Sequence, residues 1–188
     1  ILGNVSLVER QSDVADVIID LTVDVFDLVG VINMIYGIPV QPTPGSGLNT
    51  DMMATVALDY EDMFSGSSDV LMVRSELPED IAGVQFDLRY DPSTVTLGKP
   101  ETAVDADGLT LTYKNDGGGR MTVLMHFTNP FNEGQLIHSG IADLVTIPVT
   151  AQGDLEYGNG SQLKLSEVKL STAAARQVDV DGFGPTLP

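Results

Sequence analysis

The stretch AGVQFDLRYDPS, Ala82 to Ser93, decides the fold. Val84, Phe86, Leu88 and Tyr90 alternate with Gln85, Asp87 and Arg89. A strand sends successive side chains to opposite faces, so this period of two predicts a half-buried strand. Asp91, Pro92 and Ser93 close it, because proline presets φ for a tight turn. Working outward, similar short runs predict strands at 54–60, 70–76, 94–98, 109–113, 120–127, 142–150, 162–170 and 176–180. NDGGGR, Asn115 to Arg120, is a hairpin signal, since glycines accept positive φ. TNPFNEGQ, Thr128 to Gln135, reads as a longer loop. About eight or nine short strands at regular spacing predict a mostly β chain folded as an antiparallel β-sandwich.

Composition narrows the function. The chain has 188 residues, 27 acids against 9 bases and a formal charge of −18. Such a surface repels phosphate backbones, which argues against nucleic-acid binding, and it attracts divalent cations. Hydrophobic residues make up 43%, enough for a packed core. There is no cysteine, so disulfides and thiolate metal sites are excluded. No apolar run approaches the ~20 residues of a membrane span. The opening ILGNVSLVERQ has neither an initiator Met nor a signal pattern, and reads as a mature or trimmed product.

Three zones separate by composition. Residues 1–38 are acidic and apolar. Residues 39–50, PVQPTPGSGLNT, are rich in Pro, Gly, Ser and Thr and read as a linker. Residues 51–180 carry the strands, and 181–188 form a tail. No internal repeat stands out in the strand region.

Before the linker, Val25, Leu28, Val29, Ile32, Ile35 and Tyr36 recur in steps of three and four. This spacing predicts one face of a helix, ended by Gly37 and Pro39. Asp24 or Asp27 sits at its amino end, where a carboxylate suits the helix dipole. A lone helix of about ten residues is marginal in water, so its apolar face needs a partner. The sandwich, another copy, or a different protein could supply it.

Asp16, Asp20, Asp24 and Asp27 precede or open that helix. A calcium loop places oxygen ligands at positions 1, 3, 5, 7, 9 and 12, with glycine at 6. With Asp16 first, Asp20 falls fifth, Thr22 seventh through its carbonyl, Asp24 ninth and Asp27 twelfth. Ile18 and Leu21 break the pattern at the third ligand and at the turn glycine. The alternative is a solvated acidic face with helix caps.

The segment TVDVFDLVGVINMIYG, Thr22 to Gly37, resembles the second half of a dockerin repeat, and Ile1–Leu2–Gly3 resembles the end of a preceding one. The resemblance implies Ca2+ held by Asp16, Asp20, Thr22, Asp24 and Asp27. It also implies a partner-facing surface at Val25 and Phe26, extended along the helix by Leu28, Val29 and Ile32. The segments 77–97, 118–127, 139–151 and 163–180 resemble a cohesin-type sandwich, with AGVQFDLRYDPS as the specific piece. The fold expected is therefore a cohesin-like jelly roll with a short N-terminal dockerin-like segment.

Signals of catalysis are sparse. His126 and His138 are the two histidines, and no Ser/His/Asp order or Gly-flanked nucleophile accompanies them. Glu61, Asp62, Glu79 and Asp80 lie in turn-like segments, where solvation explains them. Asp179 and Asp181, in DVDG, form a candidate second cation site, as do the acids of DADG at 105–108; each is equally a turn. Sugar sites use exposed aromatic platforms, and the chain has no Trp. Tyr157 is the one candidate sugar contact.

The sequence thus points to an extracellular or cell-surface, non-catalytic assembly module. Its partner is a protein or another copy of itself, and helix-to-sandwich contacts between copies would build a head-to-tail homopolymer. The alternative is a carbohydrate-binding module that recognises polysaccharide; a hydrolase ranks below both.

Overall fold

The computed structural model describes residues 15–19, 21–38, 53–129, 135–157, 159 and 162–181. The linker and tail expected at 39–50 and 181–188 fall almost wholly outside these residues. Two antiparallel sheets face one another. The first has the order β1-β2-β8-β4, from Thr55–Asp59, Ser68–Leu77, Gly140–Ala151 and Val95–Leu97; the short β5, Glu101–Thr102, also pairs with β8. The second has the order β10-β9-β3-β7-β6, from Gln177–Val178, Leu163–Ser171, Gly83–Tyr90, Arg120–Phe127 and Leu109–Asn115. Among the described residues a helix, α1, spans Val25–Ile35.

The alternation read in β3 sets the layers. Val84, Phe86 and Leu88 are fully buried and point into the sandwich. Across the ladder they meet Met125, Val123 and Met121 of β7, which are fully buried too. Leu71, Val73, Leu144, Ile147 and Leu170 close the same core from neighbouring strands. Each such side chain contributes about 1.5–3 kcal/mol by leaving water. The predicted β-sandwich is therefore the fold observed, and the β7 boundaries match the run read from the sequence. The strand β5 was not expected. It is two residues long, exposed on both, and carries no alternation to read.

The NDGGGR hairpin joins β6 to β7. Gly119 has φ +104, and a Cβ there would lie 2.5 Å from the Tyr90 carbonyl oxygen. That close approach fixes glycine at the position. It lets the turn rest on the end of β3, where Tyr90 N–H donates to Gly119 O at 2.8 Å.

Two exposed turns are tied by carboxylates. Asp91 accepts from the Ser93 hydroxyl and N–H, and Asp116 accepts from the Gly118 and Arg120 N–H groups. These donors hold both acids below the usual carboxylate range, the Ser93 hydroxyl acting most on Asp91 and Gly118 N–H most on Asp116. A lowered folded-state value means that the unfolded chain binds protons first as pH falls. Stability present above about pH 4 is then lost on acidification. Urea titrations between pH 5 and 2.5 are expected to show this decline, with a shallower slope in the Asp91→Asn, Asp116→Asn double variant.

Candidate functional site

The outer face of the second sheet carries the site. Its outward residues are fixed by the same alternation. β3 presents Gly83, Gln85, Asp87 and Arg89; β7 presents His126, Leu124, Thr122 and Arg120; β9 presents Ser171, Lys169, Ser166 and Lys164. Helix α1 lies across one end of this face.

Local chemistry makes the helix. Asp24 is the N-cap: its Oδ1 accepts from Phe26 N–H at 2.8 Å. Asp27, three residues on, reciprocates by accepting from Asp24 N–H at 2.9 Å. This is a capping box built from two aspartates, which satisfies donors that the first turn leaves orphaned. At the other end Gly37 takes φ +73. Its N–H donates to Met34 O, and Ile38 N–H donates to Asn33 O, the paired bonds of a Schellman ending.

Packing follows from a missing side chain. A Cβ on Gly83 would lie 2.6 Å from Val25 Cγ2 and 3.3 Å from Val29 Cγ2. Glycine at that point of β3 lets the helix come down onto the sheet. Val25, Phe26 and Val29 then pack with Ile18, Leu124 and Ala175 in a cluster distinct from the sandwich core. Asn33 Nδ2 donates to Ala173 O at 2.9 Å, and the Tyr36 hydroxyl donates to Thr128 O at 3.4 Å. An ion pair joins Lys169 Nζ to Asp24 Oδ2.

The candidate metal ligands occupy defined places. Asp24 and Asp27 are 5% and 3% exposed. Asp24 Oδ2 also accepts from the Thr22 hydroxyl, and Asp27 Oδ1 accepts from Ile18 N–H at 3.0 Å. Asp16 Oδ2 accepts from Leu21 N–H at 2.9 Å. Asp20 lies outside the described residues. Burial pushes the Asp27 carboxyl above its usual range, against the pull of the N–H groups of Asp24 and Ile18. Among the described residues no group of three acidic or histidine side chains is arranged to hold a metal. Asp179 and Asp181 use their backbones to bridge to Ala54.

The partner-facing set is turned inward. Val25, Phe26, Val29 and Ile32 are buried and Leu28 is half-buried. Ile35 and Tyr36, assigned by spacing to the apolar face, are exposed instead. Leu28 packs against the edge of the helix cluster, whereas Ile35 points to solvent and Asn33 takes the inner position.

The remaining candidates lie elsewhere. The Tyr157 ring leans on Tyr60 at a centroid distance of 5.2 Å and 60° tilt. His138 is exposed and pairs with Asp80 at 3.1 Å. Ser139 N–H, and then His138, hold the Asp80 carboxyl below its usual range. His126 is half-buried on the face that carries α1, and burial lowers its pKa. Sequence reading missed Gly83 and Lys169. Gly83 had a signal, a glycine immediately before a regular alternation. Lys169 had none, since its partner is 145 residues away.

No family model and no curated protein sequence matches the chain. Solved structures do. The type II cohesin A11 of Bacteroides cellulosolvens aligns with TM-score 0.57 at 11% identity, covering 70% of this chain and 96% of that one. A type I cohesin–dockerin complex from Clostridium thermocellum gives 0.54 at 12% identity, over 69% and 88%. A non-cellulosomal cohesin of the archaeon Archaeoglobus fulgidus gives 0.52 at 14%, over 68% and 84%. The fold is a cohesin-like β-sandwich.

Two variants test the seat. Lys169→Met leaves the buried Asp24 without its cation and is expected to cost about 2 kcal/mol in chemical denaturation. Leu21 has φ 72 and is 91% exposed, so Leu21→Gly relieves a left-handed backbone without losing packing. It is expected to stabilise the protein by about 1 kcal/mol in the same assay.

Proposed function

We propose that the chain is a non-catalytic assembly module of extracellular or cell-surface complexes, and that the outer face of its second sheet is a receptor for an amphipathic, acid-capped helix. One observation carries this: α1 is already seated there, on Gly83, with its N-cap paired to Lys169. The cohesin-like fold supports a protein partner, since several solved neighbours are cohesins in complex with dockerins.

Receptor and ligand are on one chain, joined by residues 39–52. Fully extended, that tether reaches roughly 50 Å. The helix cluster is separate from the sandwich core, so the helix can leave without emptying that core. Tethering gives α1 an effective concentration in the millimolar range on its own sheet. Exchange with a neighbouring copy therefore grows as protein concentration rises, and open head-to-tail exchange makes a homopolymer.

Calcium enters this reading as a competitor. A cation held by Asp16, Asp20, Thr22, Asp24 and Asp27 would meet the positive charge of Lys169 at Asp24. Calcium and the docked helix are then opposed states of one loop. Calorimetric titration is expected to give tighter calcium binding in Lys169→Met than in the parent chain; no heat from either discards the calcium arm.

Sedimentation velocity over a concentration series tests the exchange. The parent chain is expected to form dimers and larger species as concentration rises. Gly83→Leu fills the seat in both molecules and is expected to stay monomeric with its β-spectrum intact. A parent chain that is monomeric throughout overturns the exchange.

A further inference from the structure

Helix α1 covers only one end of the receptor face, and the uncovered end has an unusual charge pattern. The register places Arg89 opposite Lys164 on one side and opposite Arg120 on the other. Three bases thus stand in one row across β9, β3 and β7. Lys114 of β6 stands in the adjacent row, opposite Thr122. With Lys169 beneath α1, five of the chain's nine basic residues project from this one face. The rest of a molecule with net charge −18 has a large excess of acid.

Like charges directly opposite each other weaken a sheet. Little here offsets them. Arg120 pairs with the buried Asp87 at 2.7 Å, and Asp87 also accepts from Thr122. Arg89, Lys114 and Lys164 are exposed and form no ion pair among the described residues. Asp116, the carboxylate at the turn, is held mainly by N–H donors and also feels the charges of Arg120 and Lys114, leaving Arg89 and Lys164 as the bases of the row without an acid beside them among the described ion pairs. Beside the row a cleft of about 290 Å3 opens between the segment leading into α1 and the sheet, lined by Val23, Gln85, Lys114, Asp116, Arg120, Thr122 and Leu124, so that two bases and one acid border it.

We propose that this basic row and cleft are a docking surface for an acidic segment of a partner protein, lying beside α1 on the same sheet. The occupant's chemistry follows from charge complementarity. It is also the chemistry of the one segment already on the face, whose Asp24 carboxylate meets Lys169. This deepens the receptor reading and rests on it by naming what a second ligand must carry.

The test is fluorescence anisotropy of a labelled sixteen-residue Glu-Ala-Ala-Glu repeat peptide, at low salt and at about 0.5 M salt, where screening is nearly complete beyond a few ångströms. The parent chain is expected to bind at low salt and release at high salt. Arg89→Ser with Lys164→Ser is expected to weaken binding at least tenfold, while Lys99→Ser, away from this face, leaves it unchanged. Because it removes like-charge neighbours, the double variant is also expected to melt at a higher temperature than the parent. Absence of binding by the parent chain, or equal loss in Lys99→Ser, overturns the proposal. Binding of polygalacturonate but not of the peptide overturns it in favour of an anionic glycan. Failure here with concentration-dependent exchange intact in sedimentation removes only the basic row. Loss of both removes the receptor reading.

Discussion

The contact between Gly83 and the Val25–Val29 edge of α1 is the constraint on which the site depends. β3 sits at the centre of its sheet and serves two surfaces at once. Its inner residues hold the sandwich together, and its outer residues determine what can lie on top. A side chain at Gly83 would hold the helix away from Leu124 and Ala175, and Asp24 would move away from Lys169. A helix of this length is not stable alone in water, so its formation and its docking are one event. The absence of a single Cβ therefore decides whether residues 25–35 are a helix at all.

Electrostatics reinforce this geometry at a cost. Taking Asp24 and Asp27 out of water is unfavourable, and a buried ion pair seldom repays its desolvation by attraction alone. Here the two carboxylates accept from the N–H groups of Ile18, Asp24 and Phe26 and from the Thr22 hydroxyl, besides pairing with Lys169. Those bonds fix direction more than they add stability. They point the positive end of the helix dipole at its own acids, and they point the acids at a basic sheet. A chain so rich in acid has few bases to place, and placing five on one face sets that face apart from the negative charge of the molecule as a whole.

The sandwich was legible because burial on one face writes a period of two into the sequence, as at 84–90 and 120–127. The helix was legible from its 3.6-residue period and from its glycine stop. Its facing was not. Leu28, Ile35 and Tyr36 belong to an apolar stripe wide enough to be read either way, and Asn33 holds an inner position that composition assigns to solvent. The acidic loop was ambiguous for a deeper reason. A cation loop and a capped helix entrance both need carboxylates spaced to meet electropositive groups near a helix N-terminus. Asp24 and Asp27 satisfy either requirement at the same spacing. In the structure Asp24 is paired with Lys169, and sequence gives no sign of a partner so distant. The basic row was hidden likewise, because Arg89, Arg120 and Lys164 become neighbours only when the register of three strands is known.

The loop before α1 shows how closely the two chemistries are related. Leu21 occupies the position at which a cation loop has glycine, and it adopts the left-handed conformation that glycine would supply. Leucine pays for that conformation with backbone strain, so something else must hold the turn. Asp16 does so, accepting the Leu21 N–H, while Asp27 accepts the N–H of Ile18 further back. A loop-like curvature is thus kept by carboxylate-to-amide bonds, and a cation at the same carboxylates would draw on the same oxygens. Capping and docking are in this segment two uses of one set of atoms, and the proposed cation would be a third. A change that favours one of them must be felt by the other two.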